Sequence, residues 1–312
     1  MKRNDAKQVF DIPVFNTIFP FLLKRRSDSL VYHSFDLDVT NTLDYIRALN
    51  AEKPEFRMRF FYVFCAAIMR TMVERPELNR FIASKRYWQR DELSMNFVVK
   101  EEMTDEAPET SNPLYFKPEM TLMEYAKIMD DYINRSKEDS EDNSTDGLIK
   151  ILLHVPYWAI SSFVSILSVF EKIGKLPRFV RDADGLHTSV FISNLGSIGI
   201  DGPSPHHHLY EWGTTSLFIT LGGLERVREY DDDGKPISCR YKVPVGFTVD
   251  ERITSGFYFI KSIKHFQNLL ENPQLLEQVP TLPPPVLTKK EYKKKLKEEK
   301  KLQKIEPGEK NS

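Results

Sequence analysis

Strict alternation opens the readable part of the chain. Val31, His33, Phe35, Leu37 and Val39 fall on one side of an extended segment, which predicts a half-buried strand over Val31–Val39. Helical spacing follows over Asn41–Leu49, with Thr40 or Asn41 as its cap. The run Phe60–Glu74 (FFYVFCAAIMRTMVE) is apolar almost throughout and stops short of Pro76, which predicts a buried helix. Alternation returns at Leu93–Val99. Thr121–Asn134 is amphipathic, and Thr121 with Glu124 has the spacing of a capping box. Further strands are predicted at Ser189–Ser193, Ser216–Leu221, Ile237–Val243 and Val245–Val249, with a hairpin turn at Asp231–Gly234. A helix over Ser255–Leu270 is closed by Asn272-Pro273. Strands and helices interleave, and the fold class expected is α/β, a two-layer sandwich of a mixed sheet and helices.

Three stretches break this pattern. Residues 136–147 are acidic and polar, which predicts an exposed loop. Residues 151–170 (ILLHVPYWAISSFVSILSVF) carry no formal charge with His154 neutral, and their length reaches that of a membrane span. Pro156, four serines and His154 cut its hydrophobicity, so the expectation is a helix buried between layers or subunits, or lying on a bilayer surface. After Pro283-Pro284-Pro285 the tail 287–312 holds ten lysines and five glutamates. It predicts a solvated, partly helical segment, or alternatively a polybasic contact with anionic lipid. Residues 1–286 are expected to form a single domain ahead of this tail.

Composition narrows the functional classes. The chain has 312 residues, 41% of them hydrophobic, and 44 basic against 45 acidic side chains. That balance argues against a dedicated nucleic-acid binder. Cys65 and Cys239 are the only cysteines, so a thiolate zinc site is not expected. The polar start, Met1–Asp11, has no apolar signal region, which makes the cytoplasm the expected compartment, with a membrane-peripheral position as the variant. Phosphate-cradling, dinucleotide-binding and Gly-x-Ser-x-Gly motifs are all missing.

The run Phe191–Gly199 (FISNLGSIG), followed in order by Leu221-Gly222 and Val249–Gly256 (VDERITSG), resembles motifs of the acyltransferase component of 2-oxo acid dehydrogenase complexes. The last run is similar to that family's Asp-His-Arg-x-x-Asp-Gly signature, shared in looser form by chloramphenicol acetyltransferase. Phe60–Ile82, with its Pro-x-Leu-Asn segment, and Phe35–Leu43 extend the resemblance, which covers about residues 20–277; residues 151–170 and the tail fall outside it.

The resemblance implies a chloramphenicol-acetyltransferase-like fold and a homotrimer with active sites in channels between subunits. A coenzyme A thioester would be the co-substrate, with no covalently bound cofactor, and the acyl group would be small or carrier-bound. In that scheme a histidine deprotonates the acceptor and a serine donates a hydrogen bond to the tetrahedral oxyanion. Ser193 matches the serine. Glu251 stands at the histidine and Ser255 at the following aspartate. A carboxylate with an ordinary pKa near 4.3 is a poor base at neutral pH compared with imidazole at about 6.5. His206, His207 and His208 follow in the stretch Ser204–Thr215 (SPHHHLYEWGTT), longer than the family's loop, and one of them is a candidate replacement base. On an extended chain His206 and His208 share a side, a weak basis for a metal. The alternatives left open are an acyltransferase and a catalytically lapsed trimer serving as a binding or scaffold protein. The lipoyl and subunit-binding domains of full-length family members are absent, so a place in a dehydrogenase core is not expected.

Overall fold

The structure is a computed structural model, and it describes residues 2–100, 104, 109–138, 155–199 and 205–305. In chain order the strands are β1 (Ala6–Gln8), β2 (Leu30–Asp38), β3 (Arg80–Ala83), β4 (Arg86–Arg90), β5 (Leu93–Phe97), β6 (Val99–Lys100), β7 (Glu109–Thr110), β8 (Leu114–Phe116), β9 (Val190–Asn194), β10 (Leu217–Leu221), β11 (Glu225–Tyr230) and β12 (Pro236–Asp250). The helices are α1 (Phe19–Leu22), α2 (Thr40–Glu52), α3 (Phe60–Glu74), α4 (Leu122–Glu138), α5 (Tyr157–Lys172), α6 (Arg178–Asp182), α7 (Gly256–Glu271) and α8 (Lys289–Ile305).

The main sheet runs β2-β12-β10-β9-β5-β8, with β11 beside the first half of β12. β9 lies parallel to both β10 and β5, and the remaining pairs are antiparallel, so the sheet is mixed. One side carries Val190, Ile192, Leu217, Ile219, Leu221, Val243, Val245, Phe247 and Val249, all buried in one cluster with α3, α4 and α7. This is the expected sheet-and-helix sandwich. α3 is central to it: every residue from Tyr62 to Val73 is buried. Within it, Arg70 Nη2 donates to the carbonyls of Leu275 and Gln278.

Local chemistry explains the boundaries. Thr121 N and Oγ1 each donate to Glu124 Oε2 at 2.8 Å, so the capping box forms and α4 runs on to Glu138. The Asp231 side chain accepts from the backbone N–H groups of Asp233 and Lys235, closing the β11–β12 turn.

Two expectations change. The strands over Ile237–Val243 and Val245–Val249 are one strand, β12, despite Pro244. Pro244 lies where β11 has ended and β10 has not begun, so its missing N–H costs no ladder bond, and its carbonyl accepts from Gly222 N at 2.9 Å. Within the described part of the apolar stretch, α5 follows Pro156 as its N-cap, and it is not buried between layers of this chain: Trp158 is 74% exposed and Tyr157 91%. Residues 151–154, and the loop expected over 136–147 beyond Glu138, lie outside the described residues. Among the described residues no helix is long and apolar enough to cross a membrane.

Candidate functional site

The second side of the sheet is built by the alternate residues of the same strands. β9 turns Ile192 into the core, so Ser193 faces the other way. Register then places Ser193 opposite Thr220, and Thr220 opposite Gly246. Gly246 is required by a close approach: a Cβ there would lie 2.5 Å from Thr220 Oγ1 and 3.3 Å from His206 Nδ1. A row therefore crosses three strands from Ser193 to the His206 ring, about two strand spacings or ~10 Å wide. The segment Pro205–Gly213 covers part of this side. Thr220 Oγ1 donates to Pro205 O at 2.5 Å, and the His206 ring sits 5.0 Å from that of Tyr32.

The far end of this segment is pinned by buried charge. Arg26 donates to Tyr210 O at 2.7 Å and Gly213 O at 3.0 Å, and burial pushes its pKa down. Trp212 Nε1 donates to Asp184 Oδ2, whose carboxylate also lies 2.9 Å from His187 Nδ1. Burial opposes ionisation of Asp184, yet its contacts with His187, Leu186 N and Trp212 hold its pKa below the usual value. Gly213 has φ 87°, and a side chain there would strike Leu186 O.

Buried polar atoms on this side without a hydrogen-bond partner among the described residues include Asn96 Oδ1, His206 Nδ1 and Thr248 Oγ1. Ser193 is half-buried, and its hydroxyl likewise makes no hydrogen bond among them. Buried polar atoms are normally paired, so these are places for water, a ligand or another copy. Partial burial lowers the His206 pKa, nearby His33 acts in the same direction, and the Phe247 backbone acts against it. The imidazole is thus held neutral at neutral pH and can accept a proton.

The other candidates are placed differently. His207 stacks on Phe218 at 4.2 Å and on His208 at 4.7 Å, while His206 turns toward Gly246. The shared side expected for His206 and His208 is replaced by this aromatic stack, and among the described residues no cluster suits a metal. Glu251 lies five residues beyond Gly246, in the turn after the end of β12, with an exposed side chain and its N–H bonded to Ser29 O. One chain therefore brings Ser193 and His206 onto one row and leaves Glu251 apart. Arg252 turns away from Glu251 and grips the buried Asp250 with Nε at 2.8 Å and Nη2 at 2.7 Å. Ser255 caps α7, its Oγ accepting from Tyr258 N at 3.3 Å. A cavity of about 720 Å³ lies elsewhere, between Arg80, Asp91 and the Pro283–Leu287 segment. The sequence reading missed Arg26, Asp184, Trp212 and Thr220; the Ser-Asn-Leu-Gly motif pointed to the row but not to its supports.

The mixed sheet with its layer of helices is an acyltransferase-like fold, that of dihydrolipoamide acetyltransferase cores. Solved structures share it. A probable dihydrolipoamide acetyltransferase from Listeria monocytogenes 4b F2365 aligns over 84% of this chain and 94% of its own, with TM-score 0.53 and 15% identity. The cubic core of a pyruvate dehydrogenase multienzyme complex aligns over 86% and 94%, with TM-score 0.54 and 15% identity. Dihydrolipoamide acetyltransferase of Azotobacter vinelandii gives TM-score 0.53 at 14% identity, over 86% and 94%. No protein-family model matches the chain. No curated protein matches it in sequence.

Proposed function

We propose that the protein transfers an acyl group from a coenzyme A or lipoyl thioester to a thiol, amine or alcohol acceptor, on the polar side of its sheet and within a homotrimer. The observation that carries this reading is the row itself: an open Ser193 hydroxyl and a neutral, half-buried His206 imidazole, with Thr220 between them. His206 takes the proton of the acceptor, whose S, N or O attacks the thioester carbonyl. The tetrahedral oxyanion accepts a hydrogen bond from Ser193 Oγ. Collapse of the intermediate restores the carbonyl and expels the thiolate, which recovers the proton from the imidazolium. Glu251 would reach such a centre only from a neighbouring copy.

The second reading is a lapsed, scaffold-type trimer. It is favoured by the exposed Glu251 and by the Ser255 hydroxyl serving as a helix cap. Release of coenzyme A from acetyl-coenzyme A with candidate acceptors separates the two. Turnover should fall about 10²–10³-fold in Ser193→Ala, the cost of one oxyanion donor. It should fall about 10²–10⁴-fold in His206→Gln, the cost of a general base. Turnover lost in Glu251→Gln but kept in His206→Gln would move the base to a neighbouring copy. No turnover by the parent protein with any acceptor would favour the scaffold.

A further inference from the structure

α5 carries its apolar residues on the outside of the protein. Phe163, Ile166 and Phe170 follow one helical face and are 51%, 55% and 43% exposed, with Trp158 and Tyr157 at the helix start. Ser161, Ser165 and Ser168 occupy a different face. Among the described residues the ties holding this helix to the rest of the molecule are at its end: Arg3 donates to Glu171 O, Ser84 Oγ to Lys172 O and Asn4 N to Gly174 O.

A second apolar group stands beside that end. Val14, Phe15, Ile18, Phe21 and Leu22 are exposed, and the Phe21 ring lies 5.1 Å from Lys85 Nζ. Lys85 belongs to the turn whose Ser84 bonds α5, so the two groups meet at this turn. The charge there is predominantly positive, with the exposed Asp11 and Asp28 at the borders of the first segment. Residues 13–26 contain no acidic side chain but include Lys24 and Arg25, both exposed. Lys85, Arg86, Lys172 and Lys175 are exposed as well, and the one acid of residues 155–178, Glu171, is buried.

We propose that α5 and the 14–22 segment seat the protein on an anionic lipid surface, with the helix lying in the plane of the interface. At sixteen residues the helix is about 24 Å long, short of the ~30 Å hydrocarbon core. Exposed aromatic side chains beside lysines are the composition of an interfacial anchor. A second copy meeting this surface about a two-fold axis would find few acidic partners for the lysines. The α8 helix, with nine lysines against three glutamates, adds positive charge near Asp11, to which Lys295 is paired at 2.8 Å. This inference does not depend on acyl transfer.

The full chain is tested by sedimentation with vesicles of phosphatidylcholine mixed with phosphatidylserine, and with phosphatidylcholine alone. Binding to the mixed vesicles should exceed binding to the neutral ones and weaken with added salt. Trp158 emission should shift to the blue on binding, since Trp88 is already buried and Trp158 is the most exposed tryptophan. The pair Lys85→Ser and Lys172→Ser should bind about twenty-five-fold more weakly, at roughly a fivefold loss per lysine. Phe163→Ser with Ile166→Ser should remove the emission shift. All four positions are on the surface, so these variants keep the core intact. Absence of binding to anionic vesicles, or equal binding by parent and variants, overturns the proposal. A blue shift that appears with protein concentration alone, without lipid, also overturns it, because a second copy would then cover the ridge.

Discussion

The two sides of the central sheet are both buried, but by opposite chemistry. On the helix side Val190, Ile192, Ile219, Val245 and Phe247 meet α3, α4 and α7 through aliphatic and aromatic contact alone. On the other side Ser94, Asn96, Thr220, Thr248 and Asp250 are equally withdrawn from water, beneath loops rather than helices. The helix side stabilises in proportion to the area it hides. The polar side must satisfy each donor and acceptor, and it leaves Asn96 Oδ1, Thr248 Oγ1 and His206 Nδ1 open. One side makes the fold, and the other leaves polar groups open among the described residues.

The largest effect that could break this division is on stability. Phe247→Ala should cost about 3–5 kcal/mol, through lost burial and a cavity beside Phe259 and Phe266. Ser193→Ala, on the polar side of the neighbouring strands, should change stability by less than about 0.5 kcal/mol. Urea unfolding of both variants checks the contrast. A large loss in Ser193→Ala would mean that its hydroxyl is structural.

A smaller effect is read from pH. His206 must be neutral to act as base, and its pKa lies below the ordinary imidazole value of 6.5 because of partial burial. Protonation switches it off, so the rate should hold as pH falls through 6.5 and decline only below it, by about tenfold per pH unit. The acid limb should vanish in His206→Gln, leaving a low rate without that inflection. A limb at or above the ordinary value would assign the base to a different, more exposed histidine.

Much of the helix side was legible because its signal is local. Phe60–Glu74 is an unbroken apolar run stopped before a proline, and the helix has those ends. The Thr121–Glu124 spacing likewise realised its cap. Pro244 misled because its tolerance depends on β11 and β10 stopping short of it, which no local pattern records. β11 went unread because Glu225–Tyr230 faces solvent on both sides and carries no alternation. On the polar side Ser193 was legible through its motif, and His206 only as one of three histidines in a run. The stacking of His207 on Phe218, and the support of Trp212 by Asp184, join residues far apart in the chain, where hydrogen bonds rather than periodicity decide the arrangement.

The smallest test concerns the two neighbours Glu251 and Ser255, which the resemblance placed at reacting positions. Ser255 Oγ accepts from Tyr258 N at the start of α7, so Ser255→Ala should cost about 1 kcal/mol of stability, the usual price of an N-cap. Ser255→Asp keeps a capping oxygen and should restore most of it, since a carboxylate also suits a helix start. Glu251→Gln, at an exposed side chain, should leave thermal stability almost unchanged. If Ser255→Ala lowers turnover far beyond its effect on folding while Ser255→Asp rescues both, the cap also positions the reacting centre. If turnover and stability move together, Ser255 supports the helix alone, and the chemistry of the polar side rests with the row from Ser193 to His206.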